Sequence, residues 1–455
     1  MLLGESNRLV IDPAVAVFID ATIVRTLLEA TMGETIEETT GGRKVTAGEA
    51  QVARRPRRRR LRRPRRRWLR RLAASVAVLL VGVLAVYGWA WSSVGRSTIA
   101  RALWWGDADV GDQYRFPSRL IPAGDDASPL PAGGETFVPP APRGVDGAGG
   151  SFDDFLGKTG TRAFLVLHHD RLVYERYFDG SDRQTLQTSF SVAKSFVSTL
   201  VGIAIDEGFI GSIEDPVTDY LPELAARDPR FERITLRDLL TMSSGIRYWE
   251  TDLPWPWADD TFTYYGVNLR EIALNRTRIE RPPGQEWHYN NYHPLLLGLV
   301  LQRATGMSVS EFMATRLWQP LGAERDATWS LDSERFGFEK MESGLNATAV
   351  DYARFGLLFL HRGEWNGKHI VSEDWVRAAT AADTTTDPAD FYQYFWWVDV
   401  ERPGRFYALG NLGQYIYVAP DADTVVVRLG RSRGVDTPTW RAVFRDIADQ
   451  LTRRP

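Results

Sequence analysis

Thr188-Ser-Phe-Ser191-Val-Ala-Lys194-Ser-Phe-Val-Ser-Thr-Leu-Val-Gly-Ile-Ala204 is the stretch from which the rest of the chain is read. Apolar residues at 192, 193, 196, 197, 200, 201 and 204 repeat with the period of a helix. Thr188 or Ser189 is placed to cap its start, and Gly208 to end it. Ser191 then lies in the first turn, with Lys194 three residues on and on the same face. That spacing sets a hydroxyl beside an amine, a nucleophile beside a base. The helix N-terminus adds free N–H groups and a positive dipole end, both suited to an oxyanion.

Lysine is scarce in this chain. Lys44, Lys158, Lys194, Lys340 and Lys368 are five of the 55 lysines and arginines. A guanidinium keeps its proton in a protein, whereas a buried amine can release it. An amine retained at 194, in a chain that otherwise uses arginine, points to proton transfer rather than to charge alone.

The length of 455 residues leaves room for one large catalytic domain and additional segments. Cysteine is absent, which excludes disulfides, thiolate metal sites and a cysteine nucleophile. Arg54 to Arg71 holds thirteen arginines and no acid, so the net charge of −3 becomes −16 once they are set aside. An acidic body with a basic collar lacks the basic face of a nucleic-acid binder.

Leu72 to Trp91 (LAASVAVLLVGVLAVYGWAW) carries no charge and has the length of a bilayer-spanning helix. Tyr87, Trp89 and Trp91 gather at its far end like an interfacial aromatic belt. The collar places the N-terminus in the cytoplasm and everything after Ser92 outside. The expectation is an uncleaved single-pass anchor in the cell membrane whose collar also meets anionic headgroups. A cleaved signal peptide is the rival, but the apolar run is long and no clean cleavage site follows. Residues 10–33 (VIDPAVAVFIDATIVRTLLEATMG) are interrupted by Asp12, Asp20 and Arg25 and make a poor span. They resemble the final segment of lipid-exporting membrane transporters of the resistance-nodulation-division class. The organisation expected is an N-terminal segment 1–53, a collar 54–71, a span 72–91, a Pro/Gly-rich connector 92–151 and a catalytic domain 152–455.

Within that domain, Ala163–Leu167 and Leu172–Tyr177 read as a hairpin turning at His168-His169-Asp170-Arg171. Phe406–Leu409, Gln414–Val418 and Thr424–Leu429 read as three more strands, and Trp440–Leu451 as a final helix. Strands at both ends with helices between imply an α/β (α+β) fold. One mixed sheet is closed by distant segments, with a helical subdomain inserted.

Two further elements accompany Ser191 and Lys194. In Arg281-Pro-Pro-Gly-Gln-Glu-Trp-His-Tyr289-Asn290-Asn291, a tyrosine follows a tight turn, where its phenol can carry a proton between groups. In Gly410-Asn411-Leu412-Gly413-Gln414, glycines inside a strand pattern suggest close approach by another backbone or a ligand. Tyr248, Trp249, Trp255, Trp257, Tyr264 and Tyr265 are candidates for the wall of an apolar cleft. Gly430-Arg-Ser432-Arg-Gly434 matches G-x-S-x-G, but no histidine follows it, so the α/β-hydrolase order is impossible. His168-His169-Asp170 belongs to no spaced metal motif and reads as a hairpin tip.

In the order Ser-x-x-Lys, Tyr-x-Asn, glycine-bearing strand, the chain resembles the serine β-lactamase and penicillin-binding-protein superfamily. It is most similar to the class C β-lactamase-like branch with esterases and 6-aminohexanoate-dimer hydrolases. Ile234–Ile246 (ITLRDLLTMSSGI), Trp318–Trp329 and Gly344–Ile370 fit that resemblance too. It implies a mostly antiparallel five-stranded sheet flanked by helices, with the cleft beside a helical subdomain. It implies Ser191 as acylated nucleophile, Lys194 and Tyr289 as the acid–base pair, and Asn291 near Lys194 or the substrate. It places the oxyanion against the N–H groups of Ser191 and Gln414, next to Gly413. Acyl transfer to a small-molecule amide or ester is then expected, with no cofactor and no metal. The third motif of the superfamily starts with lysine or histidine, and Asn411 stands there here. That departure argues against a β-lactamase or DD-peptidase. A catalytically silent binding or sensor module is the other class of reading.

Overall fold

The computed structural model describes residues 65–453 apart from 126, 128, 134–136, 143–149, 252–255 and 384–388. The transporter-like segment and the collar up to residue 64 lie outside the described residues. Helix α1 (Arg65–Ser93) contains the uncharged run. Arg71–Ser93 contains an 18-residue window with a mean hydropathy of 2.2 and is long and apolar enough to cross a membrane. Residues from Tyr87 onward form a compact unit of their own.

That unit is built on seven strands: β1 (Thr161–His168), β2 (Arg171–Tyr177), β3 (Tyr392–Gln393), β4 (Trp396–Val398), β5 (Phe406–Gly410), β6 (Gln414–Ala419) and β7 (Thr424–Gly430). Their order across the sheet is β2-β1-β7-β6-β5-β4-β3, and every neighbouring pair is antiparallel. The five long strands are those read from β-rich runs in the sequence. The sheet has seven strands rather than five because Tyr392–Val398 folds back on itself. Tyr394 and Phe395, at φ 38° and 65°, make that turn without glycine or asparagine. The tip of the β1–β2 hairpin likewise takes left-handed backbone at His169 and Asp170.

The segment expected as a connector carries structure of its own. Helix α2 (Thr98–Trp105) is capped by Ser97, whose Oγ accepts from the Ala100 N–H. Arg101 on α2 is buried and donates to the carbonyls of Val94, Tyr265, Gly266 and Asp332. Residues Ser118–Ile121 form an edge strand paired with Ala327–Ser330. That pair continues through Leu345–Ala347 to Gln187–Thr188, just ahead of Ser191.

Helices α3 (Phe152–Lys158), α4 (Ala193–Asp206), α5 (Asp259–Tyr265), α6 (Tyr292–Thr305), α7 (Ala349–Leu360) and α8 (Thr437–Leu451) complete the frame around the site. Successive strand residues point to opposite faces, and both faces are buried. Leu165, Leu167, Ile416, Val425 and Val427 enter one core with Phe196 and Leu200 of α4 and Phe355 of α7. Phe164, Val166, Tyr415, Tyr417 and Val426 enter the other with Phe152 of α3 and Trp440 and Phe444 of α8. Double burial explains why the β7 sequence is a continuous apolar run rather than an alternating one.

Candidate active site

Ser191 sits in a single 3₁₀ turn (Phe190–Val192) that leads into α4. Phe190, immediately before it, is held at φ 45°. A left-handed aromatic residue costs roughly 1–3 kcal/mol and persists only where its surroundings impose it. Phe190 is buried, and its ring lies 6.5 Å from that of Tyr264, nearly parallel. The strained turn replaces the cap expected from Thr188 or Ser189. Ser189 Oγ instead donates to the Phe190 carbonyl, and Val192 holds the N-cap position of α4 without a side-chain cap.

Lys194 is buried on the first turn of α4. Its Nζ lies 2.9 Å from Ser191 Oγ and donates to the Glu342 carbonyl, also at 2.9 Å. The Tyr289 ring centroid is 4.9 Å from the same nitrogen. Tyr289 is half-buried, and its ring runs nearly parallel to that of Trp397 at 6.4 Å. Asn291 faces the same cleft but does not bond Lys194. Its Nδ2 donates to Tyr248 Oη at 2.8 Å, while its Oδ1 is buried without a partner. His293, two residues on, is buried against Ser244 Oγ and Met242 Sδ, and burial pulls its imidazole down to about 3.

The end of β5 meets the nucleophile from the sheet side. Gly410 has ordinary extended backbone, so it is glycine for want of space. A Cβ there would overlap the Ser189 carbonyl oxygen and lie 3.1 Å from Ser191 N. Gly413, at φ 81°, is glycine for conformation as well. Leu409, Gly410 and Asn411 line the cleft beside Ser191. Gln414, expected as an oxyanion donor, is buried behind them. Its Nε2 donates to the carbonyls of Asn411 and Gly430, and its Oε1 accepts from the Gly430 N–H. The tight turn at 411–413 puts Gln414 back in the sheet and leaves Asn411 as the residue following Gly410 into the cleft. Buried Arg428 braces this turn by donating to the Gly413 carbonyl at 2.6 Å and to those of Thr159 and Ser432.

The cleft has a volume of about 530 Å³ and brings together Ser191, Tyr289 and Asn291. Of the aromatic residues read from sequence, Tyr264 and Tyr265 line it. Tyr248 is buried behind Asn291, Trp249 and Trp257 are exposed elsewhere, and Trp255 lies outside the described residues. Trp287 and Trp397 are walls that sequence reading missed, as are the acids Asp107, Glu250, Asp260 and Glu342. Burial raises the Asp260 carboxyl above its ordinary range, and nearby Glu250 adds to that. Arg433 lines the cleft too. Ser432 beside it is exposed, with its Oγ accepting from the Gly434 N–H, as a polar turn requires.

The family model described as Beta-lactamase matches residues 152–445. The 6-aminohexanoate-dimer hydrolase of Paenarthrobacter ureafaciens is 31% identical over 323 residues, covering 66% of this chain and 79% of that protein. Esterase EstB of Burkholderia gladioli is 30% identical over 189 residues, covering 38% of this chain and 48% of its own. A solved structure from Bacillus anthracis, assigned as a 6-aminohexanoate-dimer hydrolase, superposes with a TM-score of 0.66 at 25% identity. That match covers 75% of this chain and 92% of the other.

Proposed function

This chain belongs to the Beta-lactamase family, and on that premise we propose that it hydrolyses amide or ester bonds through a Ser191 acyl-enzyme. The observation that carries the reading is the 2.9 Å contact between Lys194 Nζ and Ser191 Oγ at the wall of a cleft. Ser191 Oγ attacks the substrate carbonyl carbon while Lys194 takes the hydroxyl proton. The resulting oxyanion rests against the backbone N–H groups of Ser191 and Asn411. Tyr289 protonates the departing amine or alcohol. Water then attacks the acyl carbon, its proton passes back through Tyr289 and Lys194, and Ser191 is released with a carboxylic acid product.

The cleft lining bears on substrate choice. Where the family's third motif supplies a cation, Leu409, Gly410 and Asn411 face the cleft here, and Asp107, Glu250 and Asp260 share its wall. Both features favour an amide or ester whose far end is neutral or cationic over one that ends in a carboxylate, as β-lactams do. Anchoring through α1, with the catalytic unit outside, is the localisation that the apolar run supports.

A fluorophosphonate probe tests the nucleophile. Wild type should label and S191A should not. Equal labelling of the two would leave a binding or sensor module. Comparison of short-chain esters, aminohexanoate oligomers and penicillins should then rank the penicillins last. Anchoring fails if the mature protein is soluble with its N-terminus after Trp91.

A further inference from the structure

Among the described residues two lysines are buried, and both act on one residue. Lys194 donates to the main-chain oxygen of Glu342. Lys340 forms an ion pair with its side chain, Nζ to Oε1 at 2.8 Å, with both side chains 2% exposed. Ser343 Oγ donates to the same Oε1 at 2.6 Å, and Oε2 is buried without a partner. The turn that carries Glu342 closes on itself, with the Ser343 and Gly344 N–H groups both donating to the Lys340 carbonyl. Lys340 Nζ also donates to the Tyr264 carbonyl. It lies 4.4 Å from the Phe116 ring centroid and 4.3 Å from that of Tyr264. Phe116 comes from the segment ahead of the family match, so that segment closes over the amine.

We infer that the Lys340–Glu342 ion pair is a positioning device for the reaction: it fixes the 340–344 turn so that the Glu342 carbonyl holds Lys194 Nζ against Ser191 Oγ. The geometry explains why a buried ion pair is kept where apolar residues of like volume would cost nothing in stability. Lys194 has two hydrogen-bond partners in the site, and one of them is a main-chain atom whose place depends on Lys340. Neither Lys340 nor the Glu342 carboxylate is asked to touch substrate. Their effect is on the rate of Ser191 acylation and not on substrate affinity.

The inference rests on Ser191 being the nucleophile, and the experiment separates the two claims. Full-length wild type, K340M, E342Q and K340M/E342Q are compared in detergent at a temperature where the folded ones are fully folded. K340M leaves a buried carboxylate unpaired and should melt early. The double variant removes that charge and should melt near wild type. It should still label with fluorophosphonate at least 10-fold more slowly. On a p-nitrophenyl ester, kcat should carry the loss and KM should stay within threefold. A folded double variant that labels within threefold of wild type overturns the inference while leaving Ser191 as nucleophile. A double variant that does not fold overturns it too, since the pair would then hold the domain together rather than place Lys194. Failure of wild type itself to label Ser191 refutes the nucleophile and the positioning together.

Discussion

Replacing Gly410 by alanine tests how the sheet holds the nucleophile. The backbone at 410 (φ −126°, ψ 161°) accepts any residue, so G410A carries no conformational penalty. Its cost is steric. The new methyl overlaps the Ser189 carbonyl oxygen and lies 3.1 Å from Ser191 N, and both obstacles are main chain, which cannot rotate away. Restoring ordinary contact distance requires β5 and the Phe190–Val192 turn to part by roughly 1 Å. A misplacement of that size costs about 100-fold in rate, or ~2.7 kcal/mol of transition-state stabilisation at about 1.36 kcal/mol per tenfold. Overpacking should lower stability by about 1–3 kcal/mol as well. The assay is kcat/KM on a p-nitrophenyl ester alongside a melting curve. G157A is the control, since a Cβ at Gly157 on α3 meets nothing within 4 Å. The control should keep full activity and gain a few tenths to 1 kcal/mol of stability. A folded G410A within threefold of wild-type kcat/KM would refute the claim that backbone contact at 410 fixes Ser191.

Two other outcomes follow from the same geometry. K194R should be as slow as K194A, at least 100-fold below wild type in fluorophosphonate labelling, because the fixed charge of a guanidinium cannot take the Ser191 proton. An arginine variant that labels well would show that a cation suffices. His293, held down to about 3 by burial, stays neutral in the fold while the unfolded chain protonates near 6.5. Below that pH the unfolded state binds the extra proton, so stability falls as pH falls, by about 1.4 kcal/mol per pH unit until about pH 3. Urea unfolding of H293N between pH 6.5 and 4.5 should therefore lose ~2.3 kcal/mol less than wild type. Parallel curves would sink the assignment.

What sequence revealed depended on which contacts are local. The pairing of Ser191 with Lys194 follows from periodicity, because the turn Phe190–Val192 runs straight into α4 and residues three apart along it meet. The five long strands follow from apolar runs and turn residues. Strands β3 and β4 were invisible, since two or three residues make no pattern and their turn uses tyrosine and phenylalanine. Gly410 and Gly413 look alike in sequence, yet the first is required for space alone and the second for φ as well. The family resemblance named Gln414 as the oxyanion donor, and the turn that sets Asn411 rather than Gln414 beside the cleft is not legible in the motif. Glu342 could not be found from its own neighbourhood, because its role depends on a lysine two residues back and a turn closed by backbone. The rarity of lysine was the available signal, and it was read at Lys194 alone.

Residues 98–116 precede the family match at 152–445, yet Asp107 reaches the cleft and Phe116 covers Lys340. A fragment cut at residue 152 would lose a wall of its own active site and expose Tyr264 and Tyr265. The same stretch gives the protein a second place at which substrate preference can drift. Changes there can reshape what enters the cleft while every residue of the acyl-transfer apparatus stays as it is.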